Sequence, residues 1–117
     1  MENQTEYFPD KWIIVKAVLP SETFYRVFAS WSGGYTHGDS WKMNSGITSV
    51  RDSGEHWCFY GYSGSVYYCR KPAYGVTAYS AGILEYIRTQ WKDKCDLTVM
   101  PEDTDWMNME WSKDVST

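Results

Sequence analysis

From Lys11 to Val18 the chain reads Lys-Trp-Ile-Ile-Val-Lys-Ala-Val, with four consecutive large apolar residues at its centre. A β-branched and aromatic run of this kind predicts a strand buried on both faces near its middle. Leu19-Pro20-Ser21-Glu22 follows, with proline at the second position of a type I turn. Thr23 to Trp31 then alternates, placing Phe24, Arg26, Phe28 and Ser30 on one face and Tyr25, Val27, Ala29 and Trp31 on the other. The two strands are expected to form a hairpin.

Ser32 to Ser40 carries Gly33, Gly34 and Gly38, a density that predicts positive φ angles and a long surface loop. Trp41 to Arg51 returns as strand, with a β-bulge expected near Asn44-Ser45-Gly46. Asp52-Ser53-Gly54 and Ser63-Gly64 then turn the chain through Glu55 to Tyr62 and Ser65 to Arg70, a meander. Taking Ser63 and Gly64 as a two-residue hairpin loop pairs Tyr60 with Tyr67 and Cys58 with Cys69. On that register the two cysteines have Cβ atoms about 4.5 to 5.5 Å apart.

After Lys71-Pro72 the period changes. Tyr79, Ile83, Tyr86, Ile87 and Trp91 recur at spacings of three and four, which predicts an amphipathic helix over Ala78 to Lys92 with Thr77 as its N-cap. Cys95 to Met100 reads as a short strand stopped by Pro101, and Thr104 to Trp111 as about one helical turn. The expected architecture is α+β: an antiparallel sheet of five or six strands with one principal helix across a face. Residues 1–10 read as a loose arm, 11–111 as one domain and 112–117 as a tail.

Composition adds one anomaly and one asymmetry. Seven Trp, ten Tyr and four Phe make 18% of the 117 residues, more rings than a core of this size needs. The net charge of -4 sits at the end of the chain: Glu102, Asp103, Asp105, Glu110 and Asp114 oppose Lys113 alone, while the preceding hundred residues balance. A neutral body without a basic stripe lacks the charge that holds phosphate backbones, so duplex nucleic acid is an unfavourable partner. The longest apolar stretch, Trp12 to Leu19, is interrupted by Lys16, which predicts neither a membrane span nor a secretory leader and places the protein in the cytoplasm. Three cysteines without a C-x-x-C pair suit neither a disulfide framework nor a zinc knuckle, so reduced thiols, no metal and no cofactor are expected.

Candidate chemistry is sparse. His37, Asp39 and Ser40 have the residue types of a hydrolytic site, but near-contiguous residues cannot readily build a relay with histidine between the other two. His56 and Cys58 share a strand face, yet a thiol in mid-strand lacks the electropositive setting of a nucleophile. Glu102, Asp103 and Asp105 form a dense acidic group that is too short and glycine-free for a calcium loop. A binding protein is therefore expected rather than an enzyme. The candidate binding residues are Trp31, Tyr35, His37, Asp39 and Trp41 around the loop and Trp106 and Trp111 at the acidic end, since surface Trp and Tyr are the usual anchors of recognition sites.

Four segments together carry a resemblance: Trp31-Ser32-Gly33-Gly34-Tyr35, Gly38-Asp39-Ser40-Trp41-Lys42-Met43-Asn44-Ser45-Gly46-Ile47, Gly61-Tyr62-Ser63-Gly64-Ser65-Val66-Tyr67 and Pro101-Glu102-Asp103-Thr104-Asp105-Trp106-Met107. The chain resembles a group of small proteins encoded by tailed bacteriophages. The resemblance implies expression in a bacterial host and an accessory role, such as inhibition of a host or defence protein, and transfers no catalytic residue. With the aromatic excess and the charge split, the resemblance leads to one expectation, a host protein held by an aromatic patch beside the acidic end. The glycine-rich loop leads to another, a nucleotide whose base stacks on Tyr35 or Trp41 while loop amides and Arg26 or Arg51 hold phosphate.

Overall fold

A computed structural model describes residues 4–33 and 38–111 of the protein. Those residues form strands β1 (Thr5–Tyr7), β2 (Lys11–Val18), β3 (Thr23–Trp31), β4 (Ser40–Met43), β5 (Ile47–Asp52), β6 (His56–Gly61), β7 (Ser65–Arg70) and β8 (Asp96–Val99). One α-helix, α1 (Ala78–Trp91), and 3-10 turns at Lys71–Ala73 and Trp106–Asn108 complete the list. The class is α+β, but the strands divide into two four-stranded sheets instead of joining in one sheet of five or six. The first runs β1-β7-β6-β5 and the second β4-β3-β2-β8, with only β1 against β7 parallel. None of the described helices is long and apolar enough to cross a membrane.

The β2–β3 hairpin forms the middle layer. Alternate side chains leave a strand on opposite faces, so a run of four apolar residues has to be covered twice. Trp12 and Ile14, with Val27 and Ala29 across the hairpin, meet Ile47, Phe59, Tyr67 and Cys69 of the first sheet. Ile13, Val15, Ala17 and Phe28 point the other way, onto Leu84 and Ile87 of α1 and Leu97 of β8. The helix starts where its sequence predicts. Thr77 Oγ1 accepts from the Ser80 N–H at 3.1 Å and Ser80 Oγ accepts from the Thr77 N–H at 2.9 Å, a reciprocal cap that satisfies two otherwise free donors.

At Asn44-Ser45-Gly46 the chain does not bulge within one strand; it leaves the second sheet and enters the first. The Asn44 N–H donates to the Val27 carbonyl at 3.1 Å, while Asn44 Oδ1 accepts from the Val27 N–H at 2.9 Å and from the Gly46 N–H at 3.3 Å. A side chain thus completes the ladder that the departing backbone abandons. Gly46 takes the bend at a φ of 132°, strained for any residue with a Cβ. The register shift comes later, between Ile47 and Ser49.

The Cys58–Cys69 pairing is also corrected. Cys58 faces Tyr68 and Cys69 faces Trp57, one residue off the expected register. A two-residue type I′ loop needs positive φ at both Ser63 and Gly64, and no described non-glycine residue has one. The loop instead spans Tyr62, Ser63 and Gly64, with Gly64 at φ 92° and its N–H donating to the Gly61 carbonyl at 3.1 Å. Ser45 Oγ, from the sheet crossing, accepts the Ser63 N–H at 3.0 Å and helps hold this geometry. A one-residue slip moves side chains to the opposite face. Cys69 therefore lies in the inter-sheet core, and Cys58 is buried on the far side of the first sheet.

The N-terminal arm is not loose over its described part. Thr5–Tyr7 adds β1 to the edge of β7, Tyr7 stacks on Tyr67 with centroids 4.7 Å apart, and Phe8 stacks on Tyr68 at 4.8 Å. Residues 1–3 and 112–117 lie outside the described residues.

Candidate functional site

Neither expected group of aromatic residues, the one around the loop or the one at the acidic end, forms a surface patch among the described residues. Trp106 and Trp111 are 2% and 7% exposed; they stack on each other at 6.1 Å and meet Phe59 edge-on. Both belong to the inter-sheet core, which corrects their assignment to a surface patch. Trp31 is half-buried, with its indole N–H donating to the Phe8 carbonyl at 3.0 Å. The β3–β4 register sets Trp31 opposite Ser40 and Trp41 opposite Ser30, so the two indoles leave opposite faces of the second sheet. Asp39 is exposed, while Tyr35 and His37 lie outside the described residues. The carbonyl of Gly38 fills the space a Gly33 Cβ would need, a close approach open only to glycine.

Trp41 does enter a cleft. The register puts Trp41 and Met43 on the α1 side of the sheet, next to Phe28, whose ring centroid is 5.7 Å from that of Trp41. The helix lies toward the other half of that face, where Arg88 Nε donates to the Leu97 carbonyl of β8 at 3.1 Å. Between α1 and the β3–β4 half remains a cavity of 610 Å³ lined by Arg26, Trp41, Lys42, Met43, Ile83, Tyr86, Ile87 and Trp91. Its volume falls within the range of about 300–1,000 Å³ typical of small-molecule sites.

The helix wall of this cleft was not among the expected binding residues: the sequence marks the helix's apolar face but not which part of it stays uncovered. The stripe Tyr79, Ile83, Tyr86, Ile87, Trp91 marks the apolar face of the helix, yet the buried helix residues are Ser80, Leu84 and Ile87. The apolar arc is wider than the sheet beneath it. Its uncovered side leaves Ile83 and Trp91 half-buried and Tyr86 64% exposed, across from Trp41 at 39%.

Arg26 supplies the cleft's charge. Its guanidinium lies 5.9 Å from the Phe24 ring centroid, and no carboxylate of the described residues pairs with it. Lys42 lines the rim, but its ammonium is held 5.4 Å over the Tyr7 ring and contributes little to an anion site. Arg51, the other expected phosphate ligand, belongs to β5 of the first sheet, where its Nε donates to the Tyr60 hydroxyl at 3.2 Å.

The strongly shifted titratable groups are elsewhere. Burial pushes the Tyr67 hydroxyl and the Cys69 thiol well above their ordinary values and raises Tyr74. None of the three lines the cleft, so these shifts report core packing rather than tuned acid–base chemistry. Among the described residues no three His, Cys, Asp or Glu side chains cluster as a metal site. No protein-family model, curated protein or solved structure matches the chain.

Proposed function

We propose that the protein is a non-catalytic binding protein that holds a flat, anionic small molecule of the nucleotide class in the cleft between α1 and β4. The observation that carries this reading is the juxtaposition of exposed Trp41 and Tyr86 with an arginine that has no acidic partner among the described residues, inside one cavity. Indole and phenol faces stack on any base, and a guanidinium offers a planar pair of donors to phosphate. The competing reading, a host protein gripped at the acidic end, loses two of its rings to the core. In the phage setting that the sequence resemblance implies, such a protein acts by sequestering a nucleotide in the host cytoplasm.

The test is a thermal-shift screen against a panel of mono- and dinucleotides carrying each common base. One-site binding at a hundredfold excess over Kd stabilises by about 2.7 kcal/mol. Arg26→Ala and Trp41→Ala are expected to abolish the shift while leaving the unliganded melting temperature within a few degrees. A flat screen with every nucleotide refutes the proposal.

A further inference from the structure

A second cavity, of 310 Å³, continues the cleft toward the β2–β3 turn. Ala17, Leu19, Phe24, Lys94 and Cys95 line it, and it shares Arg26 and Trp91 with the first. The groove therefore has two chambers, Trp41 and Tyr86 walling one and Phe24 and Leu19 the other, with a guanidinium and an indole at their common boundary. No carboxylate of the described residues lines either chamber, although the chain as a whole is acidic. The cations lining the groove are Arg26 at the junction, Lys94 in the second chamber and Lys42 on the rim of the first, the last held over the Tyr7 ring.

From this arrangement we infer that the ligand consists of two flat or apolar groups joined by an anionic linker, chemically a dinucleotide, with the linker at Arg26 and one group in each chamber. The inference rests on the binding reading above and deepens it. A single base with its phosphate occupies the Trp41 chamber and Arg26 and leaves the Phe24 chamber to water. A second base covers Phe24 and Leu19 and brings more apolar surface out of water for the same anionic contact. Arginine suits a phosphodiester because its fork of donors can meet both non-bridging oxygens together.

Cys95 provides a reporter in the native protein. It is half-buried and lines the second chamber, whereas Cys58 and Cys69 are 0% exposed. The experiment measures the rate of Cys95 modification by an aromatic disulfide, with saturating mononucleotides or linear dinucleotides of each common base, alongside the Kd of each. The expected result is that a dinucleotide binds at least about tenfold tighter than the matching mononucleotide and slows modification of Cys95 by about tenfold. The mononucleotide binds but leaves that rate unchanged. Phe24→Ala is expected to erase the dinucleotide preference, and exposed Lys94→Glu, which spares the packed side chains, to reduce it.

Mononucleotide binding with no tighter dinucleotide binding and no protection of Cys95 overturns this inference while the proposed function stands. Binding of neither class overturns both. Protection of Cys95 by a glutamate-rich peptide and by no nucleotide assigns the groove to a protein segment, and a modification rate that falls with protein concentration assigns it to a second copy of the chain; either result overturns the inference.

Discussion

Asn44→Ala tests whether a side chain closes the sheet crossing. Asn44 is 3% exposed, and its Oδ1 receives the N–H of Val27, itself 0% exposed, at 2.9 Å. Truncation leaves that buried donor without a partner, which costs about 1–3 kcal/mol. Loss of the longer bond from the buried Gly46 N–H adds up to about 1 kcal/mol. Against this, the variant removes Asn44 Nδ2, a buried donor that has no partner among the described residues, and recovers about 1 kcal/mol of desolvation. The net expectation is a loss of about 2 kcal/mol, or roughly 8 °C in melting temperature for a domain of this size. Urea unfolding followed by tryptophan fluorescence measures it, with an unchanged denaturant slope showing that the two end states are preserved. Hydrogen exchange adds a local readout: the Val27 amide is expected to lose protection relative to the rest of β3. A variant within about 0.5 kcal/mol of the parent, or an unchanged Val27 amide, refutes the idea that Asn44 completes the ladder.

Trp106→Ala and Trp111→Ala each remove a ring from the inter-sheet core and are expected to destabilise by about 3–5 kcal/mol, measured by the same urea titration; near-neutral values would return these rings to the surface. Because Cys58 and Cys69 leave opposite faces of the first sheet, the protein is expected to refold fully in excess reductant, and a thiol-reactive dye is expected to label Cys95 fast and the other two only on unfolding. Rapid labelling of two or three native thiols would contradict the burial. Stability is expected to fall on the alkaline side. Burial raises Cys69, Tyr67 and Tyr74 in the folded state, so as pH climbs through the ordinary thiol and phenol range the unfolded chain releases protons that the folded chain retains. The stabilising contribution of these groups is complete below about pH 8.5 and declines above it. Tyr67→Phe is expected to flatten the decline between about pH 10 and 11, and an unchanged slope would show that Tyr67 titrates normally.

Much of the middle of the fold is legible in the chain itself. The apolar run Trp12 to Val15 demands two covering layers, the alternation through β3 assigns its side chains to the correct faces, and Thr77 marks the start of α1. These features follow from period and cap chemistry, which act over a few residues. Arg26 and Trp41, both expected from the sequence as candidate ligand contacts, are brought to the lining of one cavity.

The tertiary structure decided the rest, because it depends on groups far apart in the chain. Whether Asn44-Ser45-Gly46 bulges or changes sheet depends on the Val27 backbone. The length of the Tyr62-Ser63-Gly64 loop depends on the cost of positive φ at Ser63 and on the Ser45 hydroxyl, eighteen residues away. Trp41, Trp106 and Trp111 look alike in sequence, and only the presence or absence of a covering layer makes one a surface ring and the others core. The cleft itself has no local signature. It exists because the apolar arc of α1 is wider than the strip of sheet it covers, and that mismatch arises only once helix and sheet have packed.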